Sequence, residues 1–159
     1  MKKKNKPIES VGVKGFTRLQ IVNRKDGSIF ADTGYMQNQI TNYGLESCIV
    51  ALPLKCANSV QCSGLMLGSG TGVASSGTNL TASASDSWKT FAQSTVSDSL
   101  TARATASIPG SDIGATTLQE IGIYAASNGT VIAAKSFSSS AITTDQDVNC
   151  TYELRYSTA

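Results

Sequence analysis

The stretch Leu100-Thr-Ala-Arg-Ala-Thr-Ala-Ser-Ile108 alternates apolar and polar side chains along its whole length. Its leucine, three alanines and isoleucine fall on one side of an extended chain, while its threonines, arginine and serine fall on the other. A two-residue period of this kind is that of a β-strand with one buried and one solvated face. The stretch therefore predicts a strand in an antiparallel sheet, the type of sheet that commonly has one face in water.

Two segments near the ends of the chain share this alternation. In Val11–Asn23, the side chains of Thr17, Leu19 and Ile21 fall on one side. In the closing segment the apolar side is formed by Val148, Cys150, Tyr152, Leu154 and Tyr156. Both segments are therefore predicted to be strands with one buried face.

Short turns are predicted between several of the strands. Lys25-Asp26-Gly27 and Ser127-Asn128-Gly129-Thr130 each contain a dipeptide that tolerates the positive φ angles of a tight hairpin. The other strands are predicted at Ser28–Asp32, Cys62–Leu67, Ile113–Ala126 and Val131–Phe137. Many short strands separated by turn residues are typical of an antiparallel sandwich.

One short helix is predicted between the strands Ser28–Asp32 and Cys62–Leu67. Thr41 or Asn42 can cap its start, and Leu45, Cys48, Ile49 and Leu52 recur at helical spacing. Pro53 helps to end it. The predicted fold class is all-β, an antiparallel β-sandwich with one short helix.

The chain length predicts one compact domain, since 159 residues suffice for a single core. We expect residues 1–10 to form a flexible basic N-terminal arm and residues 11–159 to form the β-sandwich domain. Low charge and abundant small hydroxyl residues, 39 Ser or Thr in all, suit strands joined by Ser/Thr/Gly-rich connections.

The composition argues against most enzyme classes. The chain has no histidine, which is the commonest general base and the commonest metal ligand. Paired carboxylates could still act on glycosidic bonds without a histidine, but the acidic residues lie mostly in predicted turns or on polar strand faces. We therefore expect a protein that is not an enzyme and that uses no cofactor or metal.

The run Gly68-Ser-Gly-Thr-Gly72 resembles a phosphate-binding loop only superficially. Closely spaced glycines let backbone N–H groups approach an anion. The spacing to a third glycine of a dinucleotide fingerprint is wrong, however, and the Gly-Lys-Ser/Thr ending of a nucleotide-binding loop is absent. The stretch from Gly68 to Asn79 is therefore interpreted as a flexible connector.

Glu120 is the acidic residue of most interest, because it interrupts the apolar strand Leu118-Gln-Glu-Ile-Gly-Ile-Tyr124. It falls on the face opposite Ile121 and Ile123. Three roles remain open for it. These are a structural ion pair or hydrogen bond with Arg103 or Lys135, a contact between subunits, and catalysis.

The aromatic residues Trp88, Phe91 and Tyr124 also leave two interpretations open. They could form a surface on which sugar rings or bases stack. Aromatic residues are sparse in this chain, at 6% of the residues, and sparse aromatic residues more often belong to a core.

The charges are distributed unevenly. Residues 1–25 carry a net charge of +7, and the remainder carries −5. The arm holds Lys2, Lys3, Lys4 and Lys6. Such an arm is either a solvated end or a contact for an acidic partner surface or DNA. No apolar run is long enough for a membrane helix, so no membrane association is expected.

The four cysteines, Cys48, Cys56, Cys62 and Cys150, do not have the spacing of zinc ribbons or redox motifs. They are interpreted as reduced and partly buried. A disulfide among Cys48, Cys56 and Cys62 remains open for a protein in an extracellular particle.

Three phrases of the chain, taken in order, match a recurrent pattern. Asn38-Gln-Ile-Thr41-Asn-Tyr-Gly44 matches the phrase "N-x-I-T-x-x-G" before a helix. Leu67-Gly-Ser-Gly-Thr-Gly72, followed by Ser76-Gly-Thr-Asn-Leu80, matches a glycine loop, and Gln119-Glu-Ile-Gly-Ile-Tyr124 matches "x-E-(I/V)-G-(L/I)-(F/Y)". In these phrases the chain resembles a recurrent type of small β-rich structural protein from tailed bacteriophages. The group's usual "T-A-P" after the glycine loop is replaced here by Val73-Ala-Ser-Ser.

The resemblance implies a virion component that works by packing: a capsid decoration protein, a head–tail or tail accessory subunit, or a fibre-attachment module. Its implied partners are copies of itself and other virion structural proteins, and assembly would take place in the host bacterial cytoplasm. The alternative is a receptor- or glycan-binding adhesion module of a tail fibre. No catalytic residue is implied. The interaction residues expected from the sequence are Lys2, Lys3, Lys4, Lys6, Trp88, Glu120 and Tyr124.

Overall fold

The computed structural model describes residues 11–50, 61–96, 99–126 and 129–158. These residues form two antiparallel sheets with few helical residues, a sandwich-like all-β fold that confirms the predicted fold class. The strands in chain order are β1 (Val11–Asn23), β2 (Ile29–Asp32), β3 (Met36–Gln37), β4 (Gln39–Ile40), β5 (Gly64–Gly68), β6 (Lys89–Thr90), β7 (Ala92–Thr95), β8 (Thr101–Pro109), β9 (Thr116–Tyr124), β10 (Val131–Ile142) and β11 (Gln146–Thr158).

The first sheet, sheet A, has the strand order β2-β1-β11-β8-β7, and β3 also pairs with β1. The longest ladder joins β1 to β11, from Val11 opposite Thr158 to Asn23 opposite Gln146. The second sheet, sheet B, has the order β4-β10-β9-β5-β6. Strand β9 therefore lies in the middle of sheet B.

The main core lies between the two sheets. Sheet A contributes the side chains of Leu19, Ile108 and Val148, and sheet B contributes Leu65 and Ile123, all at most 4% exposed. The buried positions of β1 are Gly15, Thr17, Leu19 and Ile21, which confirms the predicted alternation. One core joins both sheets, because the same cluster contains residues of each.

The predicted turn after β1 is confirmed. Gly27 has a φ of +70°, and its N–H donates to the Asn23 carbonyl over 2.8 Å. The Asp26 carboxylate accepts hydrogen bonds from the N–H and hydroxyl of Ser28 at 2.9 and 2.7 Å. The second predicted turn includes residues 127 and 128, which lie outside the described residues.

The predicted helix exists, but its winding differs from the expectation. Helical structure begins at Asn42 and continues as a π-helical segment, Gly44–Val50. Thr41 caps it: its hydroxyl accepts the Gly44 N–H at 3.1 Å. The wider π turn shifts the phase of the side chains, so Leu45, which was expected to face the core, is 42% exposed. The predicted end near Leu52 lies outside the described residues.

The starts of other strands differ from the prediction by one to three residues, whereas β10 ends at Ile142 rather than Phe137, five residues later. Strand β5 begins at Gly64 rather than Cys62, β8 at Thr101 rather than Leu100, and β9 at Thr116 rather than Ile113. A four-residue helix, Gly110–Ile113, occupies the connection between β8 and β9 and was not predicted. Tyr156, expected on the buried side of β11, is 38% exposed because it lies near the end of the strand.

The outer face of sheet B is covered by the chain itself. Residues 69–88 connect β5 to β6, and we call them the covering loop. Leu80 of this loop packs in a second, smaller core with Tyr124, Val131 and Ala134 of sheet B. Strand β9 is therefore buried on both faces over its last residues, and this arrangement positions Glu120.

Candidate functional site

Glu120 lies on the face of β9 that points away from sheet A, beneath the covering loop. Its relative exposure is 0%. The N–H groups of Gly70 and Ala82 donate to its Oε1 at 3.2 and 2.9 Å, and that of Gly72 donates to Oε2 at 3.2 Å. Both carboxylate oxygens are therefore engaged by backbone groups of the covering loop.

This geometry corrects the expected partners of Glu120. A structural hydrogen bond was one of the interpretations of the sequence, but the suggested partners, Arg103 and Lys135, are wrong. Among the described residues Glu120 forms no ion pair, and Arg103 instead pairs with Glu153. Full burial also removes Glu120 from any surface that a neighbouring subunit could touch.

Glycines at the end of β5 and in the covering loop make this contact sterically feasible. A Cβ added at Gly68 would lie 2.7 Å from Glu120 Oε1, and one at Gly70 would be closer still. Gly72 has a φ of +112°, a conformation that side-chain-bearing residues rarely adopt. The glycine run does bring backbone N–H groups to an anion, but the anion is a carboxylate of the same chain.

The interpretation of this stretch as a connector is confirmed, and hydrogen bonds that the sequence did not indicate tie it to its neighbours. Ser69 N–H donates to the Ala82 carbonyl at 2.9 Å, and the Thr81 hydroxyl donates to the Gly72 carbonyl at 2.8 Å. The Val131 N–H donates to the Thr78 carbonyl at 2.9 Å, which ties the loop to β10. The loop is a hydrogen-bonded layer over sheet B.

Tyr124 binds the covering loop at a second place, Leu80. Its ring is 1% exposed, and its hydroxyl accepts the Leu80 N–H at 3.0 Å. Burial raises the pKa of Tyr124 above its ordinary value. Trp88 packs against it edge to face, with the ring centroids 6.5 Å apart. Tyr124 therefore stabilises the loop from below.

The three aromatic residues considered as a stacking surface do not form one. Phe91 is 8% exposed and stacks on Tyr152 inside the main core, whereas Tyr124 belongs to the smaller core. Trp88 is half-buried. The other interpretation, that these aromatic residues belong to a core, is confirmed for Phe91 and Tyr124.

The phrases that carry the resemblance to phage proteins meet at this place. Thr41, from the phrase before the helix, donates its hydroxyl hydrogen to the carbonyls of Val131 and Ile132, at 2.7 and 2.9 Å. The next residue, Asn42, donates its N–H to the Ser75 carbonyl of the covering loop at 2.9 Å. Glu120 and Tyr124 lie beneath the same loop. The phrases therefore pack against one another, and their residues stabilise the fold.

A second polar cluster lies on the outer face of sheet A. Glu153 is 2% exposed and accepts hydrogen bonds from the Nε atoms of Arg103 and Arg155, each at 2.8 Å, and from the Tyr35 hydroxyl at 2.9 Å. We call these four residues the Glu153 cluster. Burial by itself raises the pKa of Glu153, but the hydrogen bonds from the two arginines and the tyrosine outweigh it and lower the pKa.

Cations and aromatic rings alternate around this cluster. The Arg155 guanidinium lies 4.2 Å from the Phe16 ring centroid and 4.8 Å from that of Tyr35, and the Arg18 guanidinium lies 5.8 Å from Tyr35. The sequence did not reveal this surface, because its members come from β1, β8, β11 and the β2–β3 connection. A sequence pattern that could have indicated this surface is the presence of Arg or Glu on the polar sides of three strands that pair with one another.

The interaction residues Lys2, Lys3, Lys4 and Lys6 lie outside the described residues. The chain enters the described structure at Val11, at one end of β1. At that end Lys14 is opposite Arg155 in the ladder between β1 and β11. The basic residues of the first strand thus stand next to those of the last.

The edge of sheet A formed by β2 exposes large apolar side chains. Ile21 pairs with Ala31 and Val22 with Ile29, so the register shifts and Phe30 is the additional residue of a β-bulge. Phe30 is 70% exposed and Ile29 is 58% exposed. Strand β2 is the last strand on its side of the sheet, so its outer edge has no strand partner among the described residues.

A cavity of about 780 Å³ opens between the sheets close to this edge. Leu19 and Leu118 contribute apolar lining, and Asp32 and Lys135 contribute charged groups. Arg18 and Gln20 already bind the Asp32 carboxylate.

In the described part of the chain, no group of three or more Cys, Asp or Glu residues is arranged to hold a metal ion. No described helix has the length and apolar character of a membrane span.

No protein-family model, curated protein or solved structure matches the chain. The function is therefore inferred from its residues and their arrangement.

Proposed function

We propose that this chain is a structural subunit of a bacteriophage virion, a capsid decoration, head–tail or tail accessory protein, that associates with copies of itself and with other virion proteins. The role is not enzymatic. The proposal is supported by the sequence phrases typical of such proteins and by their mutual packing around Glu120. Assembly would take place in the host bacterial cytoplasm.

The observation that carries the proposal is the bulged edge strand β2. An edge strand offers unpaired backbone groups to another chain, and natural proteins usually protect such edges with charge or cover. Here the bulge turns an exposed phenylalanine outward next to an exposed isoleucine. Large apolar side chains at an open sheet edge suit lateral contact with another subunit.

We expect the Phe30→Ser variant to associate at least about 30-fold more weakly than the wild type, because truncating a central aromatic anchor typically costs about 2 kcal/mol or more. Native mass spectrometry and sedimentation at micromolar concentration measure this change. The matched control is Leu45→Ser, which removes a large exposed side chain away from β2. A wild-type protein that is strictly monomeric and absent from purified particles would contradict the proposal.

The N-terminal arm provides a second expected contact, with an acidic surface of a neighbouring virion protein or with DNA. Four lysines among the first six residues favour such a contact, which salt would screen.

Deletion of residues 1–6 is expected to lower the occupancy of this protein on purified particles at about 0.05 M salt and to have a smaller effect at about 0.5 M salt, where the Debye length is much shorter. Gel densitometry of washed particles measures the occupancy. The control replaces the four lysines by glutamine and keeps the length of the arm. Equal occupancy of all three proteins at both salt concentrations would mean that the arm is only a solvated end.

A further inference from the structure

Cys48 and Cys62 are brought together from two separate elements. Cys48 is buried in the π-helical segment, and Cys62 is half-buried just before β5. The peptide group between Cys62 and Ser63 is held by two hydrogen bonds, because the Gln93 amide donates to the Cys62 carbonyl at 2.6 Å and the Ser63 N–H donates to the Tyr124 carbonyl at 2.8 Å. Each of the two thiols shifts the pKa of the other.

Both cysteines line the same cavity, which has a volume of about 460 Å³. Its lining includes Tyr152, Leu154 and Arg103, so a small molecule that enters it can reach the thiols. Cys150 is 2% exposed in the main core and does not line this cavity. The two cysteines of the cavity are therefore chemically distinct from Cys150.

The contact between the thiols also makes them unequal. The hydrogen bond from Cys48 lowers the pKa of Cys62, while the same hydrogen bond, together with burial, raises the pKa of Cys48. Since the thiolate is the nucleophile in thiol–disulfide exchange, the half-buried Cys62 is the sulfur expected to react first.

We propose that Cys48 and Cys62 form a reversible disulfide when the protein meets a small-molecule disulfide such as oxidised glutathione. The Cys62 thiolate attacks one sulfur of the oxidant, which forms a mixed disulfide and releases one glutathione thiolate. Cys48, on losing its proton, then attacks the Cys62 sulfur and releases the second glutathione thiolate. Two protein thiols are oxidised to one disulfide, and one glutathione disulfide is reduced to two thiols.

The bond would close a covalent ring of fifteen residues, from Cys48 to Cys62. Such a ring constrains the unfolded chain, so the oxidised protein should melt roughly 5 to 10 °C above the reduced protein. The expectation is independent of the proposed virion role, because it concerns only the chemistry of the two thiols.

The test treats the full-length native protein with oxidised glutathione, blocks the remaining thiols, and maps the peptides by mass spectrometry. We expect a cross-link between Cys48 and Cys62 that a reductant removes, together with the rise in melting temperature. The Cys56→Ser control should retain both results, and Cys62→Ser should lose both. A cross-link through Cys56 or Cys150, or stable glutathione adducts without an internal disulfide, would overturn the proposal.

Discussion

The Glu120→Ala variant is expected to lose about 3–5 kcal/mol of unfolding free energy. The substitution removes the acceptor of three backbone N–H groups, of which the hydrogen bond from Gly70 is buried and those from Gly72 and Ala82 are part-buried. A buried donor left without a partner costs about 1–3 kcal/mol, a part-buried donor costs less, and hydrogen bonds to a carboxylate are stronger than those to a neutral acceptor. The loss should detach the covering loop from sheet B before the main core is affected.

Urea denaturation measures the free energy, and amide hydrogen exchange at Gly70, Gly72 and Ala82 reports the loop directly. The Glu120→Gln variant keeps the volume but replaces one acceptor oxygen by a donor, so its expected loss is about 1–3 kcal/mol. Glu46→Ala is the control, since Glu46 is exposed and a change there should stay within about 0.5 kcal/mol. Unchanged exchange at the three amides in Glu120→Gln would contradict this account of the loop.

The Glu153→Gln variant is expected to lose about 2–3 kcal/mol at neutral pH. It removes the charge that Arg103 and Arg155 share and leaves two guanidinium groups close together. Removing one partner of a fully buried ion pair costs more, about 3–5 kcal/mol, but each arginine side chain here is 40% exposed and partly solvated.

This loss should depend on pH with a defined sign. The pKa of Glu153 is lower in the folded protein than in the unfolded chain, so its stabilising contribution is complete above the unfolded value of about 4.3 and disappears as the pH falls through the lower folded value. The difference between wild type and variant should therefore be constant from about pH 7 to about pH 5 and shrink below that.

Urea denaturation of both proteins at about pH 7, 5 and 3 measures the difference, in which the titration of every other carboxylate cancels. Asp145→Asn, at an exposed position, is the control and should show a change within about 0.5 kcal/mol. A wild-type advantage that is the same at all three pH values would mean that the ionised form of Glu153 does not stabilise the fold.

The strands were predictable because their periodicity is local. The alternation in β1 and β11 marked the buried side of each strand, and Asp26-Gly27 marked the first turn. In β8 the expected buried side is confirmed at Ala104 and Ile108, but Ala102 is exposed, and Leu100, just before the strand, is 59% exposed. The phase of the helix was not predictable, since a π turn and an α turn fit the same residues and the packing selects between them. The exposed Leu45 is the result of that selection.

The partners of Glu120 were beyond the reach of a single sequence for another reason. Its position in an apolar strand indicated a buried hydrogen bond, but side-chain charges were the only partners that the residue letters could suggest. The actual donors are backbone N–H groups of residues 38 to 50 positions away, and any residue except proline carries one. The glycine run was a signal for a close backbone approach to an anion, although it did not say which anion.

The pairing of the first and last strands has a consequence for how the chain folds. Strands β1 and β11 are separated by more than 120 residues yet pair along their whole length, and β8 reaches β1 only through β11. Every strand of sheet B precedes β11 in the chain. During synthesis on a ribosome, sheet A therefore cannot be completed until β11, its central strand, has been made. Because contacting residues of β1 and β11 are so far apart in the sequence, the two sheets are expected to come together slowly and late.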